Sequence, residues 1–321
     1  MRREGSPFQG LGVVILKELS DHLSSWRMRV LEWLVVIAAV AVLVPPTFGA
    51  IAQIKEQIAQ DPFLFLKLFT RAGGALPLAA VLSFLVPLVA IGLGFDLVNS
   101  EHNQRTLSRV LSQPMYRDAL LLGKFLAGLA TISISMVALW LLIIGIGVFM
   151  LGTPPGSEEM VRAFIFLGVT IAYAGVWLAL ALLFSVVFRS PATAALITLG
   201  LWLFLTILWP MLSPVVASMV SPSNDVLELL NVQQALARLS PGDLYNEVVA
   251  VLLDPSVRST QQSMFASMGL ILIERGAIPD APIPVLQSLL VVWGQIVGLV
   301  AGTILLFVTS YIVFQRQEVR A

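Results

Sequence analysis

The densest run of ionisable and hydrogen-bonding side chains is Gly94–Gly128, GFDLVNSEHNQRTLSRVLSQPMYRDALLLGKFLAG. Asp96 and Glu101 stand where an apolar segment ends, and Arg105, Arg109 and Arg117 follow. Asn99–Leu111 is expected to form a short helix with Leu107, Val110 and Leu111 on one face. Pro114 ends it, because a residue before proline avoids helical torsions. Met115–Asp118 then turns the chain into the next apolar segment, which Gly123-Lys124 opens. Nothing here is an activated nucleophile or a metal cage. Acids and guanidiniums on a stiff rod can pair with a charged partner surface, and a push on the rod moves both attached segments. The same residues also suit an ordinary polar connector, with the arginines at lipid headgroups.

Covalent chemistry has little support elsewhere. The chain contains no GxxxxGK[ST] phosphate loop, no HExxH and no GxSxG. It has no cysteine, and its two histidines, His22 and His102, lie far from any carboxylate cluster in sequence. No catalytic, cofactor or metal residue is assigned, and the chain reads as something other than an enzyme. Lys+Arg and Asp+Glu number 19 each, so no basic excess is available to neutralise nucleic-acid phosphates.

The elements that position the charged loop are apolar. Of 321 residues, 58% are hydrophobic and 12% charged, and the mean hydropathy is +0.91. That composition excludes a disordered chain and an ordinary soluble enzyme. Roughly 20 apolar residues carry a helix across a bilayer, and lipid leaves the backbone no other partner. Six stretches qualify: 31–48, 76–98, 119–151, 161–188, 192–212 and 286–314. The fold expected is all-α, with six membrane helices. Pro87 should kink the second.

Residues 1–30 read as a cytoplasmic amphipathic elbow helix, with Leu11, Ile15, Leu19, Leu23, Trp26 and Val30 on its apolar stripe. Residues 31–212 hold helices one to five, with the charged rod at 99–113. Residues 213–285 read as an extracytoplasmic helical domain, and 286–321 as helix six and a cytoplasmic tail. Within 213–285, helices are expected over Asp225–Leu239, Asp243–Leu253 and Thr260–Arg275. Placing both termini with the rod puts 12 of the 19 Lys and Arg on one side, which the positive-inside rule makes cytoplasmic. Trp33 and Trp209 fit interfacial anchors. No span carries a pair of ionisable residues at mid-depth, which argues against a proton-coupled carrier.

The spacing of Asp96, Glu101, Thr106, Leu107, Leu111, Ser112, Pro114, Arg117, Gly123 and Lys124 resembles the signature of ABC transporter permeases of the type-2 export class, in the type V exporter fold. Ser100, His102 and Arg105 depart from the usual glycine, arginine and glycine of that pattern. An LKEL start at Leu16–Leu19 fits the same class. The run Arg238-Leu-Ser-Pro241-x-x-Leu-Tyr245-Asn-Glu247 resembles the subgroup that includes the nitrous-oxide-reductase maturation permease. The resemblance implies a dimer with a second permease copy or homologue in the cytoplasmic membrane of a bacterium or archaeon. It also implies two copies of a separate ABC ATPase subunit, which would bind the ATP and Mg, this chain holding no cofactor. Asp96, Glu101, Arg105, Thr106, Leu107, Arg109, Leu111, Pro114 and Arg117 would form the ATPase-coupling segment. The function implied is export across the membrane; the alternative is a non-transporting subunit that passes force to an extracytoplasmic partner at 213–285.

Overall fold

The computed structural model describes residues 10–58, 63–70, 77–100, 117–221, 226–257 and 282–316. Every regular element among them is helical. In chain order these are α1 (Leu11–Ser24), α2 (Trp26–Ile58), α3 (Leu64–Thr70), α4 (Leu78–Gly94), α5 (Arg117–Leu151) and α6 (Ser157–Val187). Then come α7 (Pro191–Val220), α8 (Val226–Ala237), α9 (Pro241–Leu253) and α10 (Val285–Arg316). Four of them, α5, α6, α7 and α10, are long and apolar enough to cross a bilayer. The shorter α4 is apolar too, and α2 runs for 33 residues.

The amphipathic segment ends earlier than its periodicity implies. Ser25 leaves helical torsions, and its Oγ accepts from Met28 N at 3.1 Å, an N-cap that starts a new helix. Trp26 and Val30 therefore belong to α2. The buried stripe of α1 also differs from the expected one. Val14 and Glu18 are buried against α5, whereas Val13 and Leu16 are exposed.

Helix α6 is the hub. In its most apolar window 72% of residues are buried by protein, against 11% for α7 and for α10. It packs on α10, α4, α5, α9 and α7. Its middle turns read Ala-Tyr-Ala-Gly-Val-Trp-Leu-Ala-Leu-Ala, small residues alternating with large ones, so neighbours approach closely around Tyr173 and Trp177. Gly94 of α4 is one such approach. A Cβ there would lie 2.6 Å from Ala181 Cβ and 3.2 Å from the Leu178 carbonyl. Gly94→Ala should cost about 1–3 kcal/mol by overpacking. A Gly94→Ala/Ala181→Gly pair should regain part of that in a thermal unfolding measurement.

Helices α8 and α9 do not stand apart as an outer domain. They form a hairpin whose tip, Ser240-Pro241, sits among the spans. Ser240 Oγ donates to the Leu205 carbonyl in the middle of α7 (3.2 Å). Tyr245 stacks on Tyr173, halfway along α6, with ring centroids 4.4 Å apart, and its hydroxyl is 3.1 Å from Thr170 Oγ1. Leu252 at the far end of α9 is back beside Arg162, near the start of α6. The pair thus dips to about half depth and returns to the end it entered from. Its helices lie close to the expected ranges, with Ser240 at the N-cap position of α9 instead of Asp243. The expected helix over Thr260–Arg275 lies outside the described residues.

The hairpin explains a local irregularity. Pro210 has no N–H for the carbonyl one turn earlier, and α7 widens into a π turn over Phe204–Leu208. Ser240 covers one of the displaced carbonyls. Trp209, expected at an interface, instead donates through Nε1 to the Leu236 carbonyl of α8 at 2.9 Å.

Candidate functional site

Of the expected coupling segment, Glu101, Arg105, Thr106, Leu107, Arg109, Leu111 and Pro114 lie outside the described residues. Arg117 opens α5, and its side chain is likewise not described. Asp96 is described. It sits in the turn Phe95–Val98 that ends α4, and Arg27 Nη1 donates to its Oδ2 at 2.6 Å. Arg27 also lies over the Phe95 ring, 5.6 Å from the centroid. The acid that the sequence marks is therefore tied to the start of α2.

The next residues are tied to α6. Ser185 Oγ accepts from Val98 N (3.0 Å) and Asn99 N (3.3 Å). Asn99 Nδ2 donates to the Phe95 carbonyl (3.1 Å) and the Phe188 carbonyl (3.4 Å). Both residues are buried. The backbone after α4 is thus held in a clamp that touches α2 and the end of α6, three residues before α7 begins.

On the other side, α1 is locked to the start of α5. Lys124 Nζ donates to Glu18 Oε1 at 3.0 Å, with side-chain exposures of 4% and 9%. Lys17, mostly exposed, adds a second ammonium at 3.0 Å from the same oxygen. Burial alone would raise the Glu18 carboxyl; the charge and hydrogen bond of Lys124, then those of Lys17, hold it below its ordinary value of 4.5. Beside them Val14 crosses directly over Gly123, where a Cβ would lie 2.6 Å from Val14 Cγ1. Gly123-Lys124 and the Glu of LKEL are thus two halves of one contact. Nothing in the sequence links them, since the partners are 106 residues apart.

At mid-depth the hairpin carries a second polar group. Glu247 accepts from Gln295 Nε2 (2.6 Å), from Arg238 Nε (3.1 Å) and from Gln234 Nε2 (3.3 Å). Asp243 lies one turn away on the same helix. The hairpin brings these two carboxyl groups among α6, α7 and α10, which sequence reading missed because it assigned α8 and α9 to water. No group of three or more His, Asp or Glu side chains able to hold a metal occurs among the described residues.

Buried polar contacts thus fasten the end of α4 to α2 and α6, and the start of α5 to α1. Comparison with known proteins gives the class. Residues 13–319 match the model of the ABC-2 family transporter protein. A protein of Pseudomonas aeruginosa named "Probable ABC transporter permease protein NosY" is 28% identical over 199 residues, 60% of this chain. The matched region spans 66% of that relative, just under two thirds of its length. The family match runs through all ten described helices, and the chain belongs to the ABC-2 transporter family, as a multi-pass membrane protein.

Proposed function

We propose that this chain is the permease subunit of an ATP-driven exporter. In this reading two permeases pair, each engages a separate ABC ATPase through residues 99–113, and closure of the ATPases displaces the rod. Six spans, cytoplasmic termini and a place in the cytoplasmic membrane complete the reading. The observation that carries it is the clamp at Asp96–Asn99. A segment meant only to connect two spans needs no buried backbone–side-chain latch to Ser185 and Phe188. A lever does, because slack at its root would absorb the stroke. Glu101, Arg105 and Arg109 would face the ATPase.

The test is reconstitution with an ABC ATPase that co-purifies with this chain. Glu101→Lys should cut transport-coupled ATP hydrolysis by about tenfold or more, the scale of one lost charge-assisted contact, with an unchanged melting temperature. Full coupling in that variant, or purification in mild detergent without any Walker-motif ATPase, would remove the assignment.

The second reading, a subunit that passes force to an extracytoplasmic partner, is favoured by one geometric fact. Ile283 N donates to the Pro255 carbonyl at 3.1 Å, so the described residues on either side of 258–281 lie together. A short Gly-Ser linker can therefore replace 258–281 while α8 and α9 stay intact. The shortened chain should fold with its melting temperature within a few degrees of the parent. Retained substrate export with retained ATPase stimulation supports the exporter; loss of capture of an outer protein with normal ATPase stimulation supports the force-passing subunit.

A further inference from the structure

A cavity of about 260 Å³ opens between α1, the first turns of α2 and the end of α4. Its wall includes three cations, Lys17, Arg27 and Lys124, and three acids, Glu18, Asp21 and Asp96. Glu18 and Lys124 neutralise each other deep in the wall. Lys17, Asp21 and Arg27 are exposed over more than half of their side chains, and Lys17 pairs with Asp21 at 3.2 Å, a solvent-exposed contact that a ligand can exchange. Arg27 uses one Nη1 toward Asp96, so most of its five N–H donors remain for another acceptor. The remaining wall group is His22. Its Nε2 is buried and has no hydrogen-bond partner. Burial pushes the imidazole below its usual 6.5 despite the pull of Glu18, with Lys124 pushing the same way as burial and Asp96 and Asp21 against it. An orphaned ring nitrogen is costly unless something fills the cavity beside it.

The surroundings fix what that is. The cavity lies at the Ser25 break, where an amphipathic helix hands over to a membrane span, which is the depth of lipid headgroups. On the neighbouring face of α1, Val13 is 73% exposed and Leu16 69%, and Trp26 at the start of α2 is 73% exposed. These are surfaces for acyl chains. A polar cavity with balanced charge, bordered by exposed apolar side chains, matches an amphiphile with a zwitterionic head.

We propose that this cavity binds one phospholipid by its headgroup. The phosphate diester accepts from Lys17 and Arg27 beside the His22 ring, and the ammonium of an ethanolamine head pairs with Asp21. The site rests on the chain's place in a membrane and not on its coupling to an ATPase, so the two can fail separately. A bound lipid would brace α1 against the root of the rod.

The experiment is native mass spectrometry of the full chain, delipidated in detergent and titrated with phosphatidylethanolamine, phosphatidylglycerol, glycerophosphoethanolamine or inorganic phosphate. One phosphatidylethanolamine should be retained per chain, in preference to phosphatidylglycerol. Lys17→Gln/Arg27→Gln should weaken retention by about tenfold or more, as loss of charge-assisted contacts to a phosphate does. Both side chains are exposed, and circular dichroism should show the fold unchanged. Arg316→Gln, an exposed cation on α10, should leave retention as it was. Equal retention by the double variant overturns the site. Displacement of the lipid by glycerophosphoethanolamine or phosphate at matched concentration makes it a soluble-phosphoester site and overturns the lipid assignment. Preference for phosphatidylglycerol overturns the zwitterionic one. Protection of the cavity by added ATPase, with no lipid retained, would make it a protein socket and overturn both.

Discussion

Arg162→Met should loosen the end of the bundle where the hairpin returns, at a cost of about 3–5 kcal/mol, the scale for stripping one partner from a buried charged network. The guanidinium is fully buried. Its Nη1 donates to the Leu252 carbonyl at 2.9 Å and to Ser288 Oγ at 3.1 Å. Its Nη2 donates to the Ile283 carbonyl at 2.5 Å and to Glu158 at 3.0 Å. One side chain on α6 thus holds the last turn of α9, the approach to α10 and the first turns of α10. Methionine matches the volume and removes every donor. Two carbonyls and a hydroxyl then lose their partner in a place that water reaches poorly, at about 1–3 kcal/mol for each group left unsatisfied. Arg162→Lys should fall between, because one ammonium cannot span acceptors on three elements. The measurement is thermal unfolding of the purified full chain, together with limited proteolysis near Val257 and Pro282. A methionine variant with the parent's melting point and cleavage pattern would show that the pin is dispensable.

Arg162 also shows what the sequence does and does not disclose. As letters it is one basic residue at the edge of an apolar run, and the positive-inside rule counts it and no more. The long helices were legible because lipid imposes one solution on long apolar runs: α5, α6 and α10 lie within a few residues of the expected limits. The α8–α9 hairpin was legible as two helices and not as an insertion. Each is 12 or 13 residues, too short to cross, and Asp243, Glu247 and Arg238 made water the natural setting. Only the contacts of Glu247 with Gln295 and of Tyr245 with Thr170 show how those groups are accommodated among spans. Similarly, the apolar stripe of α1 did not disclose that this helix buries a glutamate, because its lysine partner lies on another helix. Pairings between distant segments leave no trace in one sequence, whereas the identities of the paired residues do, as the LKEL and Gly-Lys motifs illustrate. Asp96 was marked by its motif, while its clamp partners Arg27, Asn99 and Ser185 carry no signal that would single them out.

The Glu18–Lys124 pair gives the second large effect, and its sign depends on how it is removed. Glu18→Leu leaves a lysine that is 4% exposed without its carboxylate, and should cost about 3–5 kcal/mol. Lys124→Met should cost less, because Lys17 still reaches Glu18 Oε1 from the surface. Glu18→Leu/Lys124→Met together should recover most of the loss. Two apolar side chains of similar volume remove the desolvation penalty along with the attraction, and such swaps are often neutral. The three melting temperatures therefore separate a pair that stabilises from one that only fixes where α1 docks. If the double variant melts as low as Glu18→Leu, packing and not charge pairing explains the site. Acidity gives an independent check. The folded-state carboxyl of Glu18 lies below 4.5, so its contribution is complete above that value and is lost as the pH falls through the depressed one. Wild type should then fall toward Glu18→Leu in melting temperature as the pH drops through the depressed value, while the difference between those two stays constant between about pH 6 and 8. Under the proposed function, coupling to the ATPase is the informative readout for the double variant: an α1 that docks without its ion pair should keep its fold and transmit as before. A stable double variant with lost coupling would instead assign the pair to the moving part of the lever, with Lys124 changing partners during the stroke.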